Sequence, residues 1–174
     1  MKFSLEKSLE ILSRTPDVLE KLLQDLPKDW SHKNEGPGTW SAFDVIGHLI
    51  HGEKTDWIPR MNLILSDNPD RTFEPYDRFA QKKLSKGKTL EDLLSEFKTL
   101  REINIGYLKS VKLTKQDLNK KGIHPALGEV SLSELIACWT VHDLNHLSQI
   151  SRTLAHQYET EVGPWKAFLG ILNL

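Results

Sequence analysis

The sequence predicts an all-α protein, a four-helix bundle. Apolar residues recur at helical spacing in the long segments of the chain. Helix-capping patterns precede those segments, and no segment has the features of a convincing strand. The length of 174 residues suits one domain with a sizeable core. We therefore expect a single helical bundle domain over 1–174.

The first long helix is expected to begin at Thr15-Pro16, because a capping residue followed by proline is typical of a helix start. It should extend to about Leu26, and a separate short helical turn should precede it between Ser4 and Ser13. A loop over 30–39, with glycine and proline at its centre, then separates it from the second helix.

Ser41 and Asp44 have the spacing of a capping box and predict the start of the second helix, which should end near Ser66. Pro59 lies inside this helix and lacks a backbone N–H, so we expect a kink there. Segment 67–88 is long for a plain loop, which favours a crossover that holds a short helix near Tyr76 to Leu84.

Two further capping patterns start the third and fourth helices. Thr89 precedes a series of apolar residues at helical spacing that ends near Val111. A turn-rich connection over 122–128 follows, and Ser131 then begins a helix to about Tyr158. Beyond it, glycine and proline separate a short apolar tail over 165–174.

Three histidines are the candidate metal ligands. His142 and His146 are four residues apart on the fourth helix, so their side chains share one face, at an edge of the apolar stripe. His48 lies off the centre of the second helix's stripe, so it either turns inward or faces solvent. Three protein ligands with open positions are typical of a catalytic metal, although a pair with this spacing also arises by chance.

Several charged and polar residues fall on apolar faces. Glu53 and Asp143 lie near the stripe centres of the second and fourth helices, and Arg101 and Asn104 lie on the stripe of the third. Because an unpaired buried charge is costly, Arg101 should bridge to Glu53, Asp143 or both. Such a network either fixes helix register or orients metal-bound histidines. Gln149 shares the edge of the histidine pair and is a further pocket candidate.

Composition excludes several classes. A formal net charge of −1 gives no broad field for nucleic acid or an anionic membrane surface. We find no apolar run long enough for a transmembrane helix, and the charged N-terminus does not suit a signal peptide. The single cysteine, Cys138, excludes an intrachain disulfide and favours a cytoplasmic protein whose metal is bound by nitrogen and oxygen.

Four pieces of the chain together resemble the DinB-like superfamily: Trp40–Glu53, Leu100–Asn104, His124–Val130 and Trp139–Ile150. The resemblance implies an up-down-down-up bundle with a long crossover between helices 2 and 3. It also implies a nickel or zinc ion held by three histidines, and it maps these onto the three named above. Members are often homodimers, and several relatives transfer a low-molecular-weight thiol, such as bacillithiol or mycothiol, to electrophiles.

The leading functional hypothesis is a divalent-metal-dependent enzyme acting on a small molecule, and its specific form is a low-molecular-weight thiol S-transferase. A metal-dependent hydrolase is the enzymatic alternative, in which hydroxide attacks an ester or amide. A non-catalytic alternative is a stress-related bundle that binds metal without turnover. A last alternative is a structural module whose histidines bind nothing.

Overall fold

Four long helical stretches make up most of the structure, a computed structural model that describes residues 2–173. The helices are α1 (Leu5–Leu12), α2 (Thr15–Leu23), α3 (Lys28–Ser31), α4 (Ala42–Thr55), α5 (Trp57–Leu65), α6 (Ala80–Leu84), α7 (Leu90–Ser110), α8 (Lys115–Leu118) and α9 (Leu132–His156). Strands β1 (Lys121–His124) and β2 (Gly128–Ser131) precede α9, and two 3₁₀ turns, Gly163–Phe168 and Gly170–Leu172, follow it.

The architecture is the predicted four-helix bundle, up-down-down-up, in which the long segments are α1–α2, α4–α5, α7 and α9. The long crossover lies where it was expected, between α5 and α7. Among residues 2–173, no helix is long and apolar enough to cross a membrane.

The first long helix begins at Thr15, but Arg14 occupies its capping position and no side-chain capping bond forms there. The other three predicted helix starts are confirmed by reciprocal hydrogen bonds. In each, the side chain of the capping residue accepts from the backbone N–H three residues on, and the acidic side chain there accepts from the capping residue's N–H. Three long helices begin this way, at the pairs Ser41–Asp44, Thr89–Asp92 and Ser131–Glu134. These starts set the phase of α4, α7 and α9, and hence which residues face the bundle interior.

The predicted kink is confirmed as a break between α4 and α5 at Asp56, whose backbone has φ −110° and ψ −71°. Pro59 explains the break, because it has no N–H to donate to the carbonyl of Thr55 and its ring crowds that carbonyl. The break places Asp56 and Arg60 on the wall of a cavity described below.

A buried ionic network joins the bundle's helices at one level. Arg101 of α7 donates to Glu53 of α4 at 2.8 Å, to Asp143 of α9 at 2.5 Å and to the carbonyl of Leu12 at 2.9 Å. Asn104 donates to the other oxygen of Glu53 at 2.9 Å. The prediction that Arg101 bridges to Glu53, Asp143 or both is therefore confirmed, and the structure shows bridges to both.

One expectation about the connections was wrong. The stretch over 122–128 is a hairpin, not only a turn: β1 pairs antiparallel with β2, and Gly128 has φ +76° at the turn. Ile123 also donates to the Arg71 carbonyl at 2.9 Å and accepts from Phe73 N–H at 2.8 Å, so the hairpin holds the crossover. Four-residue strands that each contain a glycine carry too little alternation to be predicted from sequence.

Several element boundaries also differ from expectation. The first long helix ends at Leu23 rather than Leu26, because Asp25 has φ +61° and Pro27 disfavours helical backbone before it. The short helix α3 lies partly in the predicted loop, and the crossover helix begins only at Ala80. The predicted tail reaches Leu174, which lies outside the described residues.

Candidate metal centre

The imidazoles of His48, His142 and His146 converge between α4 and α9. The Nε2 atom of His142 lies 3.1 Å from Nε2 of His48 and 3.1 Å from Nε2 of His146. One ring nitrogen from each histidine lies within 4.8 Å of the others. The structure therefore brings together the three histidines that the sequence singled out.

The open question about His48 has a clear answer, since only 7 % of the residue is exposed and it faces α9. Around its ring pack Trp40, with centroids 4.8 Å apart, and Tyr76, in an edge-on arrangement at 5.5 Å. Tyr76 comes from the crossover. Helical spacing placed His48 off the centre of its apolar stripe, because spacing within one helix does not show that the crossover covers that side of the helix.

Two of the three remaining ring nitrogens, those of His146 and His48, are held by neighbours. Nδ1 of His146 lies 2.8 Å from Oε1 of Gln149, an atom that can only accept, so Nδ1 carries the hydrogen and Nε2 is left with a free lone pair. The Tyr76 hydroxyl lies 3.1 Å from Nδ1 of His48. Each contact fixes a ring while leaving Nε2 directed at the other histidines, as metal-bound imidazoles usually require.

The electrostatics of the three rings also suit cation binding. Burial, followed by the proximity of His146, lowers the pKa of His48 to about 3. Burial, followed by the same neighbour, lowers the pKa of His142 to about 3, and burial also lowers that of His146. All three rings are therefore neutral near pH 7, with lone pairs available.

The spacing of the nitrogens fits a single ion. Two nitrogens 3.1 Å apart, each about 2.05 Å from one cation, subtend an angle of about 98° at it, between octahedral and tetrahedral values. Nδ1 of His142 is buried and has no hydrogen-bond partner within 2–173. The donor set is thus compatible with a divalent ion bound through three Nε2 atoms.

Two cavities flank the histidines. The larger, of about 520 Å³, has a mainly apolar wall that includes Trp57, Phe73 and Leu135 and reaches His48 and His142. The smaller, of about 480 Å³, reaches His48 and His146 and has a mixed wall that is more polar than that of the larger cavity. His48 and Tyr76 line both, so a reacting group at the histidines would be accessible from two sides.

The other predicted site residues divide into two groups. Gln149 contacts His146 directly, as described above. Glu53, Arg101, Asn104 and Asp143 belong instead to the buried network, whose hydrogen bonds within the described part of the chain do not reach the three imidazoles. Burial raises the pKa of Glu53 more than Arg101 lowers it.

The cavity-wall residues that sequence reasoning missed include Tyr76, Asp56, Arg78 and Arg152. Asp56 is buried beside Arg60 at 2.5 Å, and burial raises its pKa. The position of Asp56 four residues before Arg60 and next to a predicted kink was a usable signal. Tyr76 and Arg78 lie in the irregular crossover, where no periodicity indicates which side chains face inward.

The chain is similar in sequence to a known protein family and to two named relatives. A family model described as "DinB superfamily" matches residues 11–150. Relatives from Bacillus cereus (strain 03BB102) and Bacillus thuringiensis subsp. konkukian (strain 97-27), both named "Putative metal-dependent hydrolase", are 28% identical over 138 residues, covering 78% of this chain and 77% of theirs.

A solved structure shares the fold. YfiT from Bacillus subtilis, described as "a probable metal-dependent hydrolase with an unusual four-helix bundle topology", superposes with a TM-score of 0.71 at 19% identity. The match covers 93% of this chain and 91% of the other.

Proposed function

The chain belongs to the DinB superfamily, and from that premise we propose that it is a metal-dependent enzyme acting on a small molecule. His48, His142 and His146 are the proposed ligands of one divalent cation. The observation that carries the proposal is the convergence of the three neutral imidazole rings beside two cavities. The names of the relatives support the same metal-dependent class.

The chemistry of the proposed enzyme combines a cation with a shaped, partly apolar cavity. A bound divalent ion lowers the pKa of a water or thiol and so supplies a nucleophile near neutral pH. Gln149 and Tyr76 hold the rings of His146 and His48, and Trp57 and Phe73 contribute to the apolar wall of the larger cavity.

Transfer of a low-molecular-weight thiol to an electrophile is the specific reaction we propose first. Two cavities meeting at His48 and Tyr76 suit a reaction with two organic substrates, one entering from each side. Hydrolysis is the second candidate, favoured by the names of the relatives, and it needs only one organic substrate. Product analysis with and without bacillithiol, mycothiol, glutathione or coenzyme A separates the two.

Nickel and zinc are the proposed ions, because imidazole suits both and the family resemblance implies them. A homodimer and a cytoplasmic location remain predictions. Mass measurement in solution tests the dimer.

The metal assignment is tested by elemental analysis of protein purified without a histidine tag. We expect about one divalent ion per chain in the wild type and loss of stoichiometric metal in His142→Ala, because two imidazoles bind far more weakly than three. His51→Ala is the matched control, since His51 is a buried histidine of α4 that lies outside the cluster. Full metal retention in His142→Ala contradicts the ligand assignment.

A further inference from the structure

The smaller cavity beside the histidines carries two guanidinium groups. Arg78, from the crossover, and Arg152, from α9, both line it, together with Gln149. Its wall includes His48 and His146, which belong to the proposed metal centre. Cationic side chains therefore lie next to the position where a substrate would react.

Arg78 has no carboxylate partner among residues 2–173. Its guanidinium carbon lies 5.6 Å from the ring centre of Trp40 and 5.3 Å from that of Phe79. Trp40 also lines the cavity. Aromatic faces of this kind orient a guanidinium while leaving its N–H groups free for hydrogen bonds to another molecule.

Arg152 is held by one nitrogen only. Its Nε atom donates to both oxygens of Glu35, at 2.9 and 3.1 Å, and Thr153 donates to the same carboxylate at 3.0 Å. The terminal nitrogens of Arg152 make no hydrogen bond within the part of the chain that the structure describes. Both guanidinium groups line the cavity and Glu35 pairs with only one of them, so the two arginines add net positive charge to the cavity wall.

We propose that this cavity binds the anionic group, a carboxylate or phosphate, of a small-molecule substrate, and that Arg78 and Arg152 determine specificity for it. The inference rests on the proposed function for the identity of the reacting centre. Guanidinium groups match the paired oxygens of carboxylate and phosphate. The larger, apolar cavity then takes an uncharged part of the substrates, so the two cavities recognise different chemistry.

The test is calorimetric titration of the metal-loaded protein with succinate and with inorganic phosphate. Succinamide serves as the neutral analogue of succinate. We expect an anion to bind and succinamide not to bind, and Arg78→Gln or Arg152→Gln to weaken anion binding about tenfold. Lys83→Gln is the control, because Lys83 is an exposed cation on α6 that does not line this cavity, and its affinity should stay within about twofold of wild type.

Arg78→Gln should fold normally, since Arg78 is exposed and packs only against ring faces, and its melting temperature checks this. Unchanged anion affinity in Arg78→Gln and Arg152→Gln overturns the proposal. Equal binding of succinamide, or no anion binding at millimolar concentration, also overturns it.

The same titration on His142→Ala separates this inference from the proposed function. Anion binding that persists without metal but depends on the arginines supports the subsite by itself. Anion binding that disappears with the metal and ignores the arginines assigns the anion to the ion, and the subsite fails while the metal centre stands. If His142→Ala keeps its metal and the arginine variants lose the anion, the ligand assignment fails and the subsite stands.

Discussion

At the scale of single residues, the candidate metal centre depends on which imidazole nitrogens remain free. Gln149 binds Nδ1 of His146, and Tyr76 contacts Nδ1 of His48, so both rings present Nε2 to His142. Burial keeps the rings neutral. The same burial that prepares the nitrogens for a cation makes their protonation incompatible with the folded state.

This incompatibility predicts an acid-sensitive metal-free protein. The pKa of His48 and of His142 is about 3 in the folded chain and about 6.5 in the unfolded chain. Between these values the unfolded state binds more protons, so the free energy of unfolding falls as pH drops below about 6.5, by up to about 1.4 kcal/mol per pH unit for each ring.

Urea unfolding of metal-free protein between neutral pH and pH 4 measures this slope. Carboxylates contribute to it as well, so the informative quantity is the difference from His142→Gln, which should lose stability less steeply. His32→Gln, which removes an exposed histidine, should follow the wild type. Identical slopes for wild type and His142→Gln contradict the prediction.

At the scale of elements, the hairpin holds the crossover in place, and the crossover adds side chains to the site between the long helices. Phe73 packs against Gly122 of β1, so closely that no side chain fits between the ring and the strand. Its N–H donates to the Ile123 carbonyl at 2.8 Å. The crossover anchored in this way places the Tyr76 hydroxyl against the ring of His48. It also places Arg78 in the wall of the smaller cavity.

Gly122→Ala should therefore destabilise the protein by about 1–3 kcal/mol, because the added methyl group would clash with its neighbours. That methyl carbon would lie 2.6 Å from Cζ of Phe73 and 2.9 Å from Cγ1 of Ile64. Gly106→Ala is the matched control. It lies in the middle of α7 with no atom near the added methyl, and it should stabilise by about 0.5–1 kcal/mol. Denaturant unfolding compares them, and a neutral Gly122→Ala would refute the close packing.

At the scale of the whole molecule, one guanidinium links all four parts of the bundle. Arg101 of α7 contacts Leu12 of α1, Glu53 of α4 and Asp143 of α9, and only about 1% of its side chain is exposed. Trp139 adds a hydrogen bond to Glu53 at 3.1 Å. Removing the cation would leave two buried carboxylates without their partner.

Arg101→Leu should reduce the free energy of unfolding by about 3–5 kcal/mol, because uncompensated buried charge is costly. Lys98→Gln, one helical turn away, removes a half-buried partner of Asp17 and Glu20 and should cost no more than about 1 kcal/mol. Thermal and urea unfolding measure both variants. An undiminished melting temperature in Arg101→Leu would show that the network does not stabilise the fold.

Much of this molecule could be anticipated from local patterns. The capping pairs at Ser41, Thr89 and Ser131 located three helix starts, since capping depends on residues only three apart. Pro59 located the break in the second helix for an equally local reason. The hairpin escaped detection, because strand pairing depends on partners rather than on the segment's own pattern.

The sequence by itself determined the helical class, the phase of each long helix and the pair His142–His146, all of which follow from spacing within one segment. It also indicated that Arg101 needs a carboxylate, because charge on an apolar face must be compensated. Only the tertiary structure decided that His48 faces that pair and that Tyr76, Arg78 and Arg152 wall the cavities. Those relations join residues far apart in the chain, and packing between elements, not periodicity within one, sets the distances between them.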